Sequence, residues 1–244
     1  MPPDPLTRFQ HLVIYSPHFD DAFLSLGGYL GYCYSLKRIS VVIIFGRSNR
    51  IYKQDVSGGL IEHASAIRAG EEAGNIRRIN AELIIFDNEE AVLRGYQRRN
   101  DCTGGYPIDV DDRLDAATRE TVYAQISAMV RHHRDALHLF PLGIGGHVDH
   151  VLVRDVTVGE PALESSIAYY EDLPYAFRSN AKLDFASEMS SLLLPVDIGA
   201  KVAFVSSYKS QQATKWIDDI LSYMSSIGGL PGSHSERIWL PKRD

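Results

Sequence analysis

Residues 11–28, HLVIYSPHFDDAFLSLGG, decide the architecture. The opening HLVIYS is apolar and β-branched without in-out alternation, which reads as a strand covered on both faces. It breaks at Pro17, presents His18, Asp20 and Asp21, and then resumes in a helix-like pattern. Burying an unpaired carboxylate is strongly unfavourable, so the end of a buried strand is a costly place for two of them. Something positive is expected to meet them there.

The same alternation runs outward along the chain. Strands are predicted at ISVVIIFG (39–46), AELIIFD (81–87), ALHLFP (136–141) and SIAYYE (166–171), with helical segments at 22–36, 60–76, 113–133 and 147–158. Continuously apolar strands separated by helices predict a three-layer α/β fold, its mainly parallel sheet flanked by helices on both faces. A further strand is expected around 189–196, with helices from near Asp197 and again beyond Gln211. Residues 88–112, NEEAVLRGYQRRNDCTGGYPIDVDD, are polar, glycine-punctuated and longer than an ordinary connection. They read either as a loop over a site or as a surface excursion.

Bulk properties exclude several classes. At 244 residues and 45% hydrophobic content, the chain can bury a full core, and a single domain over 1–244 is the expectation. A net charge of -6 and a pI near 5.8 give no basic footprint for nucleic acid. Cys33 and Cys102 form no CxxC pair, so neither a disulfide framework nor a cysteine zinc site is indicated. No run approaches the roughly 18 apolar residues of a membrane span, and the start MPPDPLTRFQ lacks a signal-peptide pattern. A soluble, cytoplasmic protein is expected, and homo-oligomerisation is left open.

In an open α/β sheet, ligands gather outside the carboxyl ends of the strands. The first strand delivers His18, Asp20 and Asp21 to that edge, and LGIGGHVDH (142–150) delivers His147, Asp149 and His150 after a later strand. Residues three apart share a helix face, so His147 and His150 can point the same way. Each residue alone has a plain reading: a lone histidine is ordinarily packed or solvated, and an aspartate at a helix start caps it. Together, imidazoles and a carboxylate make the three-ligand set of a catalytic zinc with its fourth position left to water.

SPHFDD (16–21) followed by GGHVDH (145–150) resembles the PIG-L/LmbE-like zinc-dependent N-deacetylases, in particular a subgroup reading S-P-H-x-D-D-A. IRAGEEAG (67–74), YYEDLPYAF (169–177) and KVAFVSSYKSQ (201–211) extend the likeness over most of the chain. The resemblance implies a Rossmann-like fold, one Zn2+ per chain, and hydrolysis of an N-acyl group. The substrate it implies is an N-acetylated amino sugar, such as N-acetylglucosamine, in a glycoside, sugar nucleotide or natural-product intermediate. By the same resemblance His18, Asp21 and His150 are the zinc ligands and Asp20 the general base. A protonated His147 is implied as the group assisting the oxyanion or leaving group. Two positions depart from the general family motif, with Phe19 at its proline and Ala22 at its glutamate.

Other residues carry weaker expectations. Arg68 is a candidate to pair with Asp20 or touch substrate, against a surface ion pair with Glu71 or Glu72. Tyr169, Tyr170 and Glu171 are candidates to line a sugar pocket, against the core role usual for strand aromatics. Pro174 and Tyr175 fall in the turn that follows. Asp149 is a candidate to orient a histidine, and His132, His133 and His138 read as structural or exposed. Two other functions fit the same residues: an amidase of a thiol-conjugated or cyclitol amide, and a non-catalytic sugar-binding or scaffold protein. Retention of Asp20 argues against the latter.

Overall fold

The computed structural model describes residues 6–52, 54–97, 112–157, 166–178, 189–229 and 232–242. Its strands are β1 (His11–Ser16), β2 (Arg38–Ile43), β3 (Arg50–Ile51), β4 (Gln54–Asp55), β5 (Glu82–Ile85), β6 (Leu137–Pro141), β7 (Ile167–Tyr170), β8 (Met189–Leu194) and β9 (Glu236–Pro241). Its helices are α1 (Asp21–Cys33), α2 (Leu60–Arg78), α3 (Asp112–His132), α4 (Val148–Asp155), α5 (Tyr175–Arg178), α6 (Ile198–Ser207) and α7 (Ile217–Ile227), with a 3-10 turn at Ala213–Trp216.

The main sheet has seven strands in the order β5-β2-β1-β6-β7-β9-β8. The first five of these are mutually parallel, and β9 and β8 close one edge antiparallel. Strand β1 shows why apolar runs form the centre: Leu12 and Ile14 enter one buried layer, Val13 and Tyr15 the other. Helices α1, α6 and α7 cover the first face, while α3 and α4 cover the second. The α/β expectation therefore holds, with the mixed edge as its refinement. Strand β9 went unrecognised in the sequence, because Glu236 and Arg237 give its start the polarity of a loop.

A buried ion pair fastens α1 to this frame. Glu236 accepts the N–H groups of Gly28 and Tyr29 at 2.9 and 2.8 Å. Lys201 of α6 donates to Glu236 and to the Leu24 carbonyl, both at 2.6 Å. The chain leaves β1 toward β2 on one side and later returns to β6 on the other. The carboxyl ends of β1 and β6 thus form the switch point where open α/β sheets place their sites. No helix among the described residues is long and apolar enough to cross a membrane.

Candidate metal centre

The turn after β1 is built to project side chains. Ser16 Oγ donates to the His18 carbonyl and accepts the Ala22 N–H at 3.0 Å, which closes the turn and opens α1. Asp20 occupies the N-cap position but makes no side-chain cap, and the Asp21 carboxylate reaches back to the His18 N–H at 2.9 Å. The capping reading of these aspartates therefore fails, and Ser16 does that work. After β6, Gly143, Gly145 and Gly146 take φ of 77, 86 and 68°. A Cβ at Gly145 would lie 2.8 Å from that of Tyr175, so the turn that swings α4 inward needs glycine there.

Three ligand atoms converge. His18 Nδ1 lies 3.2 Å and His150 Nε2 3.3 Å from Asp21 Oδ2, and each atom of the trio is within 4.8 Å of the others. Around a tetrahedral ion with bonds of about 2.0–2.1 Å, neighbouring ligand atoms stand about 3.3 Å apart. The spacing fits a metal. His150 Nε2 is also buried without a hydrogen-bond partner, while its Nδ1 meets Asp172 Oδ1 at 2.6 Å. A carboxylate only accepts, so Nδ1 carries a proton, and Nε2 is the nitrogen whose lone pair a metal would take on displacing the second proton. His18 is oriented in the same way: Nε2–H faces Asp149 Oδ2 at 2.8 Å and leaves Nδ1 for Asp21.

A second grouping, His18, His147 and Asp149, is also close enough for a metal. It is a poorer candidate. Asp149 already accepts from Arg94 Nη2 at 2.7 Å, from the Ala91 N–H at 3.0 Å and from His18. His147 Nδ1 is engaged too, accepting the Asp149 N–H at 3.2 Å as the cap of α4.

The electrostatics ask for a cation. Burial alone lowers the His18 imidazole, but Asp149 and Asp21 outweigh it and raise its pKa to about 9. Burial likewise opposes protonation of His150, yet Asp21 and Asp172 raise it to about 10. Burial pushes Asp21 upward, and the two imidazoles overcome it to hold the group well below the carboxylate range. In effect two protons neutralise the carboxylates, and a divalent ion coordinated by the deprotonated nitrogens would replace them. Burial lifts Asp20 to about 8 against the opposing pull of Arg68. Burial lowers His147 well below its ordinary value, so its imidazole is neutral, with the proton on Nε2. Burial thus opposes the protonated form expected from the sequence.

The other candidates divide. Arg68 is buried, lies 3.7 Å from Asp20 Oδ1, and donates to Ser48 Oγ at 2.6 Å and the Phe19 carbonyl at 2.9 Å, so it is no surface ion pair. Tyr170 departs from the pocket expectation, being fully buried with its hydroxyl on the Tyr15 carbonyl at 2.8 Å. Glu171 departs as well, since its oxygens accept from Arg237, Trp239 and Tyr223 at 2.7, 2.9 and 2.6 Å on the far side of the strand. Tyr175 lies beside the centre, its ring edge-on to His150 at 5.5 Å. His132 is exposed, while His133 and His138 are buried. Of the loop at 88–112, residues 88–97 bring Glu90, Ala91 and Arg94 to the site, and 98–111 lie outside the described residues.

No family model matches the chain. A 2'-N-acetylparomamine deacetylase from Streptomyces fradiae is 27% identical over 262 residues, covering 97% of this chain and 91% of that protein. The zinc-inhibited form of a teicoplanin deacetylase superposes with a TM-score of 0.76 at 18% identity, covering 96% of this chain and 99% of that one. The N,N'-diacetylchitobiose deacetylase of Pyrococcus horikoshii follows at 0.61 and 15% identity, covering 97% and 86%. A 4-carboxy-2-hydroxymuconate hydratase of Pseudomonas putida shares the architecture at 0.58 and 14% identity, covering 96% and 98%. The fold is shared with these deacetylases, and a fold that hosts both a hydratase and deacetylases leaves the reaction to be argued from the site.

Proposed function

We propose that this chain is a PIG-L/LmbE-like, zinc-dependent N-deacetylase. It removes the N-acetyl group from an amino sugar within a natural-product intermediate, using one zinc per chain and a single domain. The observation that carries the proposal is the spacing of His18 Nδ1, Asp21 Oδ2 and His150 Nε2 about one buried point, next to Asp20. The 27% identity to an N-acetylparomamine deacetylase over nearly the whole chain supports the acetylated amino sugar as substrate class.

When bound, zinc supplies Lewis acidity, which polarises an amide carbonyl and brings the pKa of water down to about 7. Asp20 is the residue placed to accept a proton from attacking water and return it to the departing amine. Its Oδ1 stands 3.7 Å from Arg68 Nη2, whose charge favours the ionised form that a base needs. His147, fixed through Nδ1 by the Asp149 N–H, has Nε2–H as the donor it would offer to the oxygen that gains negative charge as the carbonyl becomes tetrahedral. Asp149 and Asp172 hold His18 and His150 in the tautomers that ligation needs.

The test is acetate release from a panel of N-acetylated aminoglycoside fragments and N-acetylglucosamine glycosides. Turnover that disappears on chelation and returns with stoichiometric zinc is expected. Full turnover by metal-stripped protein, or no acetate from any N-acetyl amine, would contradict the assignment.

A further inference from the structure

The peptide unit joining Phe19 to Asp20 is gripped at both ends by one face of α2. Arg68 Nη2 donates to the Phe19 carbonyl at 2.9 Å, and the Asp20 N–H donates to Glu72 Oε2 at 3.2 Å. Arg68 and Glu72 are four residues apart, which stacks them on one side of a helix. The Tyr208 hydroxyl donates to the same Glu72 oxygen at 2.6 Å, bracing it from beyond the end of α6. Asp20 itself sits at φ 96, ψ -33°. A residue with a Cβ holds such a conformation only where its surroundings over-determine it.

Helix initiation does not explain the strain, because Ser16 rather than Asp20 supplies the capping oxygen. Stability does not explain Glu72 either. Its side chain is fully buried and Oε1 has no hydrogen-bond partner, an arrangement that costs folding free energy. Resting on the assignment of Asp20 as base, we propose that Glu72, braced by Tyr208 and paired with Arg68, is a positioning residue. It locks the Phe19–Asp20 peptide plane and so aims the Asp20 carboxylate at the reacting water. Without the lock Asp20 relaxes toward an ordinary backbone conformation, and its carboxylate leaves the productive direction while the metal ligands stay in place.

The experiment uses the full chain in three variants. Tyr208→Phe removes the brace, Glu72→Ala removes the anchor, and Glu72→Gln keeps an amide oxygen able to accept the same N–H. Glu72→Ala is expected to lower kcat for acetate release about 10- to 100-fold, the range that releasing one strained residue covers. Tyr208→Phe is expected to lower it less, and Glu72→Gln to recover most of the loss, with KM and bound metal unchanged throughout. Independently of turnover, the Asp20 amide in 15N-labelled protein should lose hydrogen-exchange protection in Tyr208→Phe and Glu72→Ala, while Val13 in β1 keeps its own. If Glu72→Ala fails to fold, Tyr208→Phe carries both readouts. An Asp20 amide that does not respond overturns the proposal, as does an unchanged kcat where the amide has responded. If the wild-type protein releases no acetate at all, the deacetylase assignment falls, and the amide measurement alone decides the lock.

Discussion

Replacing Asp172 by Asn probes the metal centre without touching a ligand. Asp172 Oδ1 takes the His150 Nδ1 proton at 2.6 Å and Oδ2 takes the Ile144 N–H at 2.9 Å, so both oxygens act as acceptors. An asparagine has one acceptor and must choose. With its oxygen toward His150, the amide NH2 confronts the Ile144 N–H and two buried donors meet. With its oxygen toward Ile144, the NH2 faces Nδ1 and forces the imidazole proton onto Nε2, the nitrogen turned toward Asp21. Either outcome weakens the ligand. Loss of such an orienting carboxylate costs about 10- to 100-fold in metal affinity, or about 1.4–2.8 kcal/mol. Chelator-competition titration of apo wild-type and Asp172→Asn protein measures it, with thermal melts of both apoproteins as the folding control. An affinity within twofold of wild type in a folded variant would refute His150 as an Nε2 ligand.

Asp20→Asn should keep stoichiometric metal yet lose about 100- to 10,000-fold in acetate-release rate, the usual span for a lost general base; an undiminished rate would remove Asp20 from that role. Lys201→Met leaves Glu236 charged and buried without its ammonium partner, and urea unfolding should show a loss of about 3–5 kcal/mol, whereas a loss below about 1 kcal/mol would show that the pair is dispensable. Burial lowers His138 from 6.5 to about 4. Its contribution to stability is therefore complete above pH 6.5 and lost as pH falls toward 4, a decline of about 3 kcal/mol. Urea unfolding of wild type and His138→Leu across that window should show a flatter acid limb in the variant, and parallel limbs would contradict the assignment.

The central strands were legible because burial on both faces leaves no ambiguity in their pattern, and β1 matches its predicted limits. The two polar clusters were legible for a related reason: carboxylates and imidazoles at the ends of buried strands have few physical justifications besides a cation, whereas the choice of His18, Asp21 and His150 among them came from the family resemblance alone. What escaped was set by long-range geometry. Asp172 stands one residue beyond the Glu171 chosen from the sequence, and strand parity separates their roles, since Asp172 shares its face with Tyr170 while Glu171 points toward Trp239. Arg94 reaches Asp149 across 55 positions and Glu72 reaches Asp20 across 52, and no local spacing rule announces either contact. The plain alternative for Arg68, a surface ion pair, fails because Ser48 and Glu90 fold against its guanidinium and bury it. The positive φ of Asp20 had only a faint signal, since aspartate tolerates such backbone more readily than most residues but glycine is the usual occupant.

On the proposed function, two turns, after β1 and after β6, close on one ion. X-ray absorption at the zinc edge, on protein loaded with one equivalent, tests it most directly. Two imidazole nitrogens at about 2.0–2.1 Å with oxygen completing a four-coordinate shell are predicted, and one nitrogen should vanish in His18→Ala and in His150→Ala. A shell unchanged by both substitutions, or no stoichiometric zinc in the wild-type protein, would contradict the account.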